Sequence, residues 1–335
     1  MNILIVCNYK PGVGGISGQV EILQRKLQEE GHIAEIFSTK GSVLWRFGLF
    51  GRLCKITQDY DVLHIHCCSH WGFLPAMVGV TVGRRLGKRI VLTYHGGGGE
   101  KFFDKHTRLV RHFMTRTDAN IVLSGFLASV FDKHQLPYSV IPNIIELDDT
   151  HYRLRDTLKP NYICTRAHET LYNIPCILKA FQKVQSKLPE ATLTLVGSGS
   201  EHYNLIKMSE ELGLHNITFT GRVDNKDIYS YLDKADIMLS SPTVDNMPVS
   251  LLEAMNAGLL VISSNVGGVP YMVKNNNTGL LFESDNSDEL ATKMLWAIEN
   301  QSIAITITMQ AHKDVARYRW ENIKDQLYTV YGIRS

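Results

Sequence analysis

Two series of short apolar runs, each alternating with helix-length amphipathic segments, constrain this chain more than any single residue. Residues 2–6, 33–37, 61–66, 89–94, 119–123 and 139–141 make up the first series. Residues 161–165, 192–196, 217–220, 236–239, 259–263 and 279–282 make up the second. The runs are rich in β-branched residues and too short for helices, whereas 17–30, 174–187 and 289–299 repeat at helical spacing. Such alternation predicts parallel sheets covered by helices on both faces. The series breaks once, over the polar stretch 142–160. The expected fold class is therefore α/β, two doubly wound, Rossmann-like domains (1–150 and 151–317) facing across a cleft. A last aromatic, amphipathic segment, within 318–335, is expected to be a helix packing back toward the first domain. A length of 335 residues suits two domains. Ligands in such sheets bind beyond the carboxyl ends of the strands.

Bulk properties narrow the function classes. The net charge of +2 is too small to argue for nucleic acid. Residues 1–150 hold 17 Lys and Arg against 13 Asp and Glu, and the remainder 18 against 20. The first half, at +4, is thus the one suited to an anionic substrate or surface. The N-terminal apolar run is too short and lacks the basic start of a secretory signal. No apolar stretch is long enough to span a bilayer. Six cysteines without framework spacing point to reduced thiols and a cytoplasmic setting. Residues 41–55 mix large apolar residues with Arg and Lys. A core-facing helix is the commoner origin of such a pattern, and a helix resting peripherally in a membrane interface is the other.

The most specific local pattern is Asp245-Asn246-Met247-Pro248-Val249-Ser250-Leu251-Leu252-Glu253, followed by Gly267-Gly268-Val269-Pro270. Pro248 sits where a helix would begin, so one acid falls on the preceding loop and the other within the helix. Two acids can hold a polyhydroxylated ligand while the helix N-terminus faces an anion. The pattern suggests a sugar-nucleotide site. Gly12-Val13-Gly14-Gly15 lies between the first strand and the first helix, where glycines let backbone approach a phosphate or sugar. It lacks the Gly-X-Gly-X-X-Gly spacing of a dinucleotide fingerprint. His64, His66, Cys67, Cys68 and His70 crowd one strand end, yet no second cluster supplies the separate ligands a structural zinc wants, and no metal is expected. His95 ends a strand before Gly96–Gly99, a run that leaves its backbone and ring open to a cleft. Arg166, at the end of the first strand of the second domain, offers forked donors suited to phosphate, and a surface ion pair is the plainer alternative. Gly197-Ser198-Gly199 closes the next strand.

With these motifs in view, the chain resembles a family 4 glycosyltransferase, a retaining enzyme of the GT-B type. The resemblance spans nearly the whole length, through Gly14-Gly15, residues 61–66, Thr93-Tyr94-His95-Gly96-Gly97, Ile141-Pro142-Asn143, Gly197-Ser198-Gly199 and Gly221-Arg222. Residues 245–270 resemble the family's acid-x7-Glu signature in an Asp-Asn-Met-Pro version. The resemblance implies that Glu253 bonds the ribose hydroxyls and that Asp245 contacts hydroxyls of the donor sugar. It places the amides of Asn246, Met247 and Val249 toward sugar and diphosphate, Arg166 on the diphosphate and His95 at the donor sugar. Gly14, Gly15 and Gly199 would line the donor, and the base would lie near Arg222 and Val223.

Two departures accompany the match. The family's lysine shortly after the Arg166 position is missing, and Lys10, or Tyr172 and Asn173, would have to stand in. Asp245 is one methylene shorter than the family's usual Glu. The resemblance implies transfer of a hexose from a nucleotide diphosphate sugar, with no metal or other cofactor. The acceptor would be a saccharide or lipid-linked hydroxyl in cell-surface polysaccharide or lipopolysaccharide synthesis. The alternatives are a catalytically degenerate sugar-nucleotide-binding partner protein and a sugar-nucleotide epimerase of similar plan.

Overall fold

A computed structural model describes residues 1–11, 15–41, 48–146 and 151–333. Gly14 and residues 42–47, part of the segment with two readings, lie outside the described residues. The chain divides into two compact units, Met1–Glu146 with Tyr318–Ser335, and Leu147–Arg317. Among the described residues no helix is long and apolar enough to cross a membrane.

The first unit holds β1 (Asn2–Cys7), β2 (Ile33–Ser38), β3 (Val62–Cys67), β4 (Arg89–Tyr94), β5 (Ala119–Val122) and β6 (Ser139–Val140). They form one sheet in the order β2-β1-β3-β4-β5-β6, every pair parallel. Strand alternation sends side chains to two cores. Leu4, Val6, Leu63, Ile65, Leu92 and Tyr94 pack against the helices Leu49–Thr57, Leu74–Arg85 and Gly125–Lys133. Ile3, Ile5, Val62, Val91 and Ile121 face the other way. They pack on Val20, Leu23 and Leu27 of the helix Ile16–Glu29 and on Trp320, Ile323 and Leu327 of the helix Trp320–Tyr331. The C-terminal helix is tied down further where Trp320 Nε1 and Lys324 Nζ both bond Glu30.

The second unit holds β7 (Asn161–Cys164), β8 (Thr192–Val196), β9 (Ile217–Gly221), β10 (Ile237–Ser240), β11 (Leu260–Ser264) and β12 (Leu280–Phe282). Their order, β12-β11-β10-β7-β8-β9, is again wholly parallel. β8 and β9 lie to one side of β7 and β10 to β12 to the other, so the winding reverses between β7 and β10. Helices Ile174–Gln185 and Ser287–Glu299 cover this sheet through Phe181, Val184, Leu290 and Met294.

One buried cation braces the second unit below that reversal. Arg155 is fully buried, and its guanidinium donates to Asp236 Oδ1 at 3.0 Å, Ala235 O at 2.7 Å and Ala257 O at 2.7 Å. A buried charge persists only when so paired. Ala257 closes the helix Val249–Asn256, so Arg155 also places positive charge at that helix's negative end.

Candidate active site

The winding reversal between β7 and β10 is where a doubly wound sheet opens a crevice at its carboxyl edge. Arg166 leaves the end of β7, and the loop from Ser241 to Pro248 leaves the end of β10. Pro248 is the N-cap of the helix Val249–Asn256, with extended backbone at φ −67 and ψ 109, and no side chain caps that end. Its first-turn amides are therefore presented at the crevice.

Topology brings Arg166 and Asp245 together across 79 residues of sequence. Arg166 Nη2 forms an ion pair with Asp245 Oδ2, and Nη1 donates to Ser250 Oγ at 3.1 Å. The Tyr172 ring lies against the guanidinium, 4.0 Å from its carbon to the ring centroid. Arg166 Nε is buried without a partner among the described residues. The Asn246 amide donates to Asp245 Oδ1 at 2.8 Å, which orients the carboxylate. Deeper in the same helix, burial pushes the Glu253 carboxyl up to about 6, with the charge of Arg166 pulling the other way. Glu253 is thus half-protonated near pH 6 and mostly ionised at neutral pH.

Two glycines fix the backbone of this pair. Gly197, at φ +143, passes so close that a Cβ would stand 2.3 Å from the Arg166 carbonyl oxygen. Gly267, at φ +52, leaves a Cβ only 2.0 Å from the Asp245 carbonyl oxygen, and the Gly268 amide donates to that same oxygen. Gly199 crosses the His168 carbonyl just as tightly. The close approach these glycines permit is of backbone to backbone.

Nothing cationic follows Arg166 before Lys179. Tyr172 contributes its ring face to Arg166. Asn173 is spent on the fold: its Nδ2 donates to Asp285 at 3.0 Å, and its carbonyl accepts from Ser241. Arg222 is exposed and Val223 half-buried, beside Thr220, Asp227 and Tyr231 on a polar concavity.

His95 and Gly15 belong to the first unit. Gly15 is the N-cap of Ile16–Glu29 at φ 71. His95 leaves β4 half-buried, with Nε2 2.9 Å from His66 Nδ1. His64 Nε2 meets Thr93 Oγ1 at 2.8 Å, and His64 Nδ1 meets the Tyr331 hydroxyl at 2.7 Å. Burial lowers His64 to about 3 and His95 to about 4, and holds His66 well below its ordinary value. All three are neutral imidazoles at neutral pH. The glycines after His95 do not simply open space. A Cβ on Gly96 would stand 2.7 Å from the Tyr94 hydroxyl, and one on Gly99 2.9 Å from the Tyr94 ring. Gly99 itself begins the helix Gly99–Lys105. Among the described residues no group of three or more His, Cys, Asp or Glu is arranged to hold a metal ion.

Sequence reasoning missed Ser250 as a partner of Arg166, the ring stacking of Tyr172, and the joining of His66 to His95. The only sequence signal for the last was the two-residue spacing of His64 and His66, which puts them on one strand face.

Comparison with known proteins agrees with this architecture. Residues 13–149 match the family described as Glycosyltransferase Family 4, and residues 156–314 match Glycosyl transferases group 1. N-acetyl-alpha-D-glucosaminyl L-malate synthase of Bacillus anthracis is 24% identical over 306 residues, covering 84% of this chain and 78% of the relative. The structure of Anabaena HepE in complex with UDP-glucose superposes with a TM-score of 0.80 at 19% identity, covering 99% of each chain. Sucrose-phosphate synthase of Thermosynechococcus elongatus superposes at 0.82 and 18% identity, covering 99% of this chain and 98% of that one. At these identities the superpositions establish the fold. The two family matches together span most of the chain, which belongs to the family 4-like glycosyltransferases of GT-B fold.

Proposed function

We propose that the protein transfers a hexosyl group from a nucleotide diphosphate sugar to a hydroxyl of a saccharide or lipid-linked acceptor, with retention, in cell-surface polysaccharide or lipopolysaccharide synthesis. The observation that carries this reading is the cluster of Arg166, Asp245 and Ser250 at the uncapped start of Val249–Asn256, with Glu253 behind it. A cation, helix amides and two acids at one winding reversal suit a ligand that is anionic at one part and hydroxylated at others. The UDP-glucose in the HepE structure supports a uridine diphosphate hexose as donor.

In this reading Arg166 meets the diphosphate, Asp245 the sugar hydroxyls and Glu253 the ribose. Asn246, Met247 and Val249 turn amides to the donor, and Arg222 and Val223 flank the base. Gly15 and Gly199 approach the phosphates, and His95 faces the sugar. The bond from the anomeric carbon to the phosphate oxygen breaks as the bond to the acceptor oxygen forms on the same face. The acceptor's proton passes to the departing phosphate oxygen. Negative charge grows on the diphosphate, where Arg166 and the helix amides oppose it without a metal ion. Asp245 must release part of Arg166 for this, so donor binding exchanges an ion pair within the protein for one with the ligand.

A second reading, a donor-binding protein without turnover, is favoured by the lack of a second cation after Arg166. Binding and slow hydrolysis across UDP-, GDP- and ADP-sugars separate the two, comparing wild type with Glu253→Ala and Asp245→Ala. One donor bound by wild type, binding lost in Glu253→Ala and hydrolysis lost in Asp245→Ala, are the expected results. Binding without hydrolysis would favour the second reading. No binding by folded protein would reject both.

A further inference from the structure

The inner face of the first sheet changes character toward its carboxyl edge. Val62 and Val91 there pack in the apolar core under the C-terminal helix. Further along the same face stand His64 and Thr93, and then His66 and His95. His66 is wedged in this column, its ring centroid 4.2 Å from that of His64 and 5.1 Å from that of His95. His64 is itself held at both ring nitrogens, by Thr93 and by Tyr331 of the returning helix. His66 Nδ1 bonds His95 Nε2, while His66 Nε2 is buried and has no partner among the described residues. His66 and His95 both line a cavity of about 30 Å³, together with Gln19 and Asn143. That is room enough for a water beside polar groups.

A neutral imidazole donates from one ring nitrogen and accepts at the other. A single hydrogen between His66 Nδ1 and His95 Nε2 therefore locks the two rings to each other. If His95 donates, its Nδ1 is an acceptor and His66 carries hydrogen on Nε2. If His66 donates, His95 Nδ1 carries the hydrogen and His66 Nε2 accepts. The two outer nitrogens always have opposite character. His66 Nε2, buried without a partner among the described residues, is less costly as a bare acceptor than as an orphaned N–H, which selects the state with hydrogen on His95 Nδ1. We propose that His66 is a positioning residue for glycosyl transfer, fixing both the ring orientation and the tautomer that His95 presents to the donor sugar. The link to transfer rests on the reading of His95 given above, whereas the tautomer lock does not.

The test uses full-length protein labelled with 15N at histidine, with His95 assigned by its loss in His95→Gln. Wild type shows one locked His95 tautomer, its two ring nitrogens widely separated in shift. In His66→Leu they draw together toward the averaged values of a free imidazole. His66→Asn, whose amide still reaches His95 Nε2, restores the separation and guards against a folding defect in the leucine variant. Hydrolysis of UDP-glucose and UDP-N-acetylglucosamine follows the same order. The kcat falls about tenfold or more in His66→Leu, KM stays within about twofold, and His66→Asn recovers most of the loss. A purely structural role would leave the His95 shifts where they were. Averaged shifts in wild type, or unchanged shifts in His66→Leu, overturn the lock. A lost lock with unchanged kcat overturns the link to transfer. Absence of hydrolysis by wild type counts against the proposed donor alone, and the shifts then decide on His66.

Discussion

Replacing Glu253 with glutamine should stabilise the ligand-free protein at pH 8 and hardly at all in acid. Burial lifts this carboxyl to about 6 from its usual 4.5, against the pull of Arg166. The gap corresponds to about 2 kcal/mol. A folded-state pKa above the unfolded one means that the folded protein keeps its proton longer as pH rises. Whatever Glu253 contributes is intact below about pH 4.5 and is lost as pH climbs through about 6. Above that, the ionised carboxylate is a burden of about 2 kcal/mol relative to a neutral isostere, and at pH 5 the burden is less than half of that. A glutamine side chain has the same shape and nothing to ionise. Calorimetric melting of both proteins at pH 5 and pH 8 reads the difference, so that every other titrating group cancels. For a compact unit of this size the pH 8 gain is about 4–8 °C and the pH 5 gain less than half of it. A gain that is absent at pH 8, or equal at the two pH values, would refute the burial argument. The same acid makes a functional prediction under the proposed reading. Ribose hydroxyls donate to the ionised form, so donor affinity in wild type should weaken about tenfold between pH 7 and pH 5, and the residual affinity of Glu253→Gln should not change.

Two further perturbations probe the scaffold around the site. Gly267→Ala touches no ligand in any reading, yet its methyl would meet the Asp245 carbonyl oxygen at 2.0 Å. It should cost about 2 kcal/mol or more and at least tenfold in donor affinity by titration. Gly213→Ala, equally left-handed at φ +66 but with open space around it, should cost only about 1 kcal/mol and leave donor affinity alone. Asp236→Ala removes the carboxylate from fully buried Arg155. Urea denaturation should show a loss of about 3–5 kcal/mol, and an unchanged midpoint would mean that the carbonyls of Ala235 and Ala257 suffice for the charge.

What could be read ahead of the structure, and what could not, follows from the range of the forces involved. The twelve strands were legible because burial on both faces of a parallel sheet demands near-continuous apolar runs, and those are local. The start of Val249–Asn256 was legible because Pro248 can begin a helix but not sit inside one. The helix Gln301–Val315 was harder to see, since it follows Ser287–Glu299 almost without a break and carries no glycine or proline between. The partners of Arg166 were out of reach. Ser250 and Asp245 meet it only because β10 lies beside β7, and that neighbourhood is set by the winding of the whole sheet. His66 and His95 are similarly 29 residues apart, joined by strand pairing.

The glycines carry the same lesson in a sharper form. Flexibility, or room for a ligand, is the natural sequence reading of Gly96–Gly99, Gly197-Ser198-Gly199 and Gly267-Gly268. In the structure each set contains positions where a methyl would collide with protein: with the Tyr94 ring and hydroxyl, with the carbonyls of Arg166 and His168, and with the carbonyl of Asp245. Arg166 and Asp245 reach each other because two neighbouring loops are narrow enough to press against their backbones. Under the proposed function, a rigid backbone beneath an ion pair that the donor must partly break suits electrostatic catalysis. The cation stays where charge will develop, and only the short Asp245 side chain has to move.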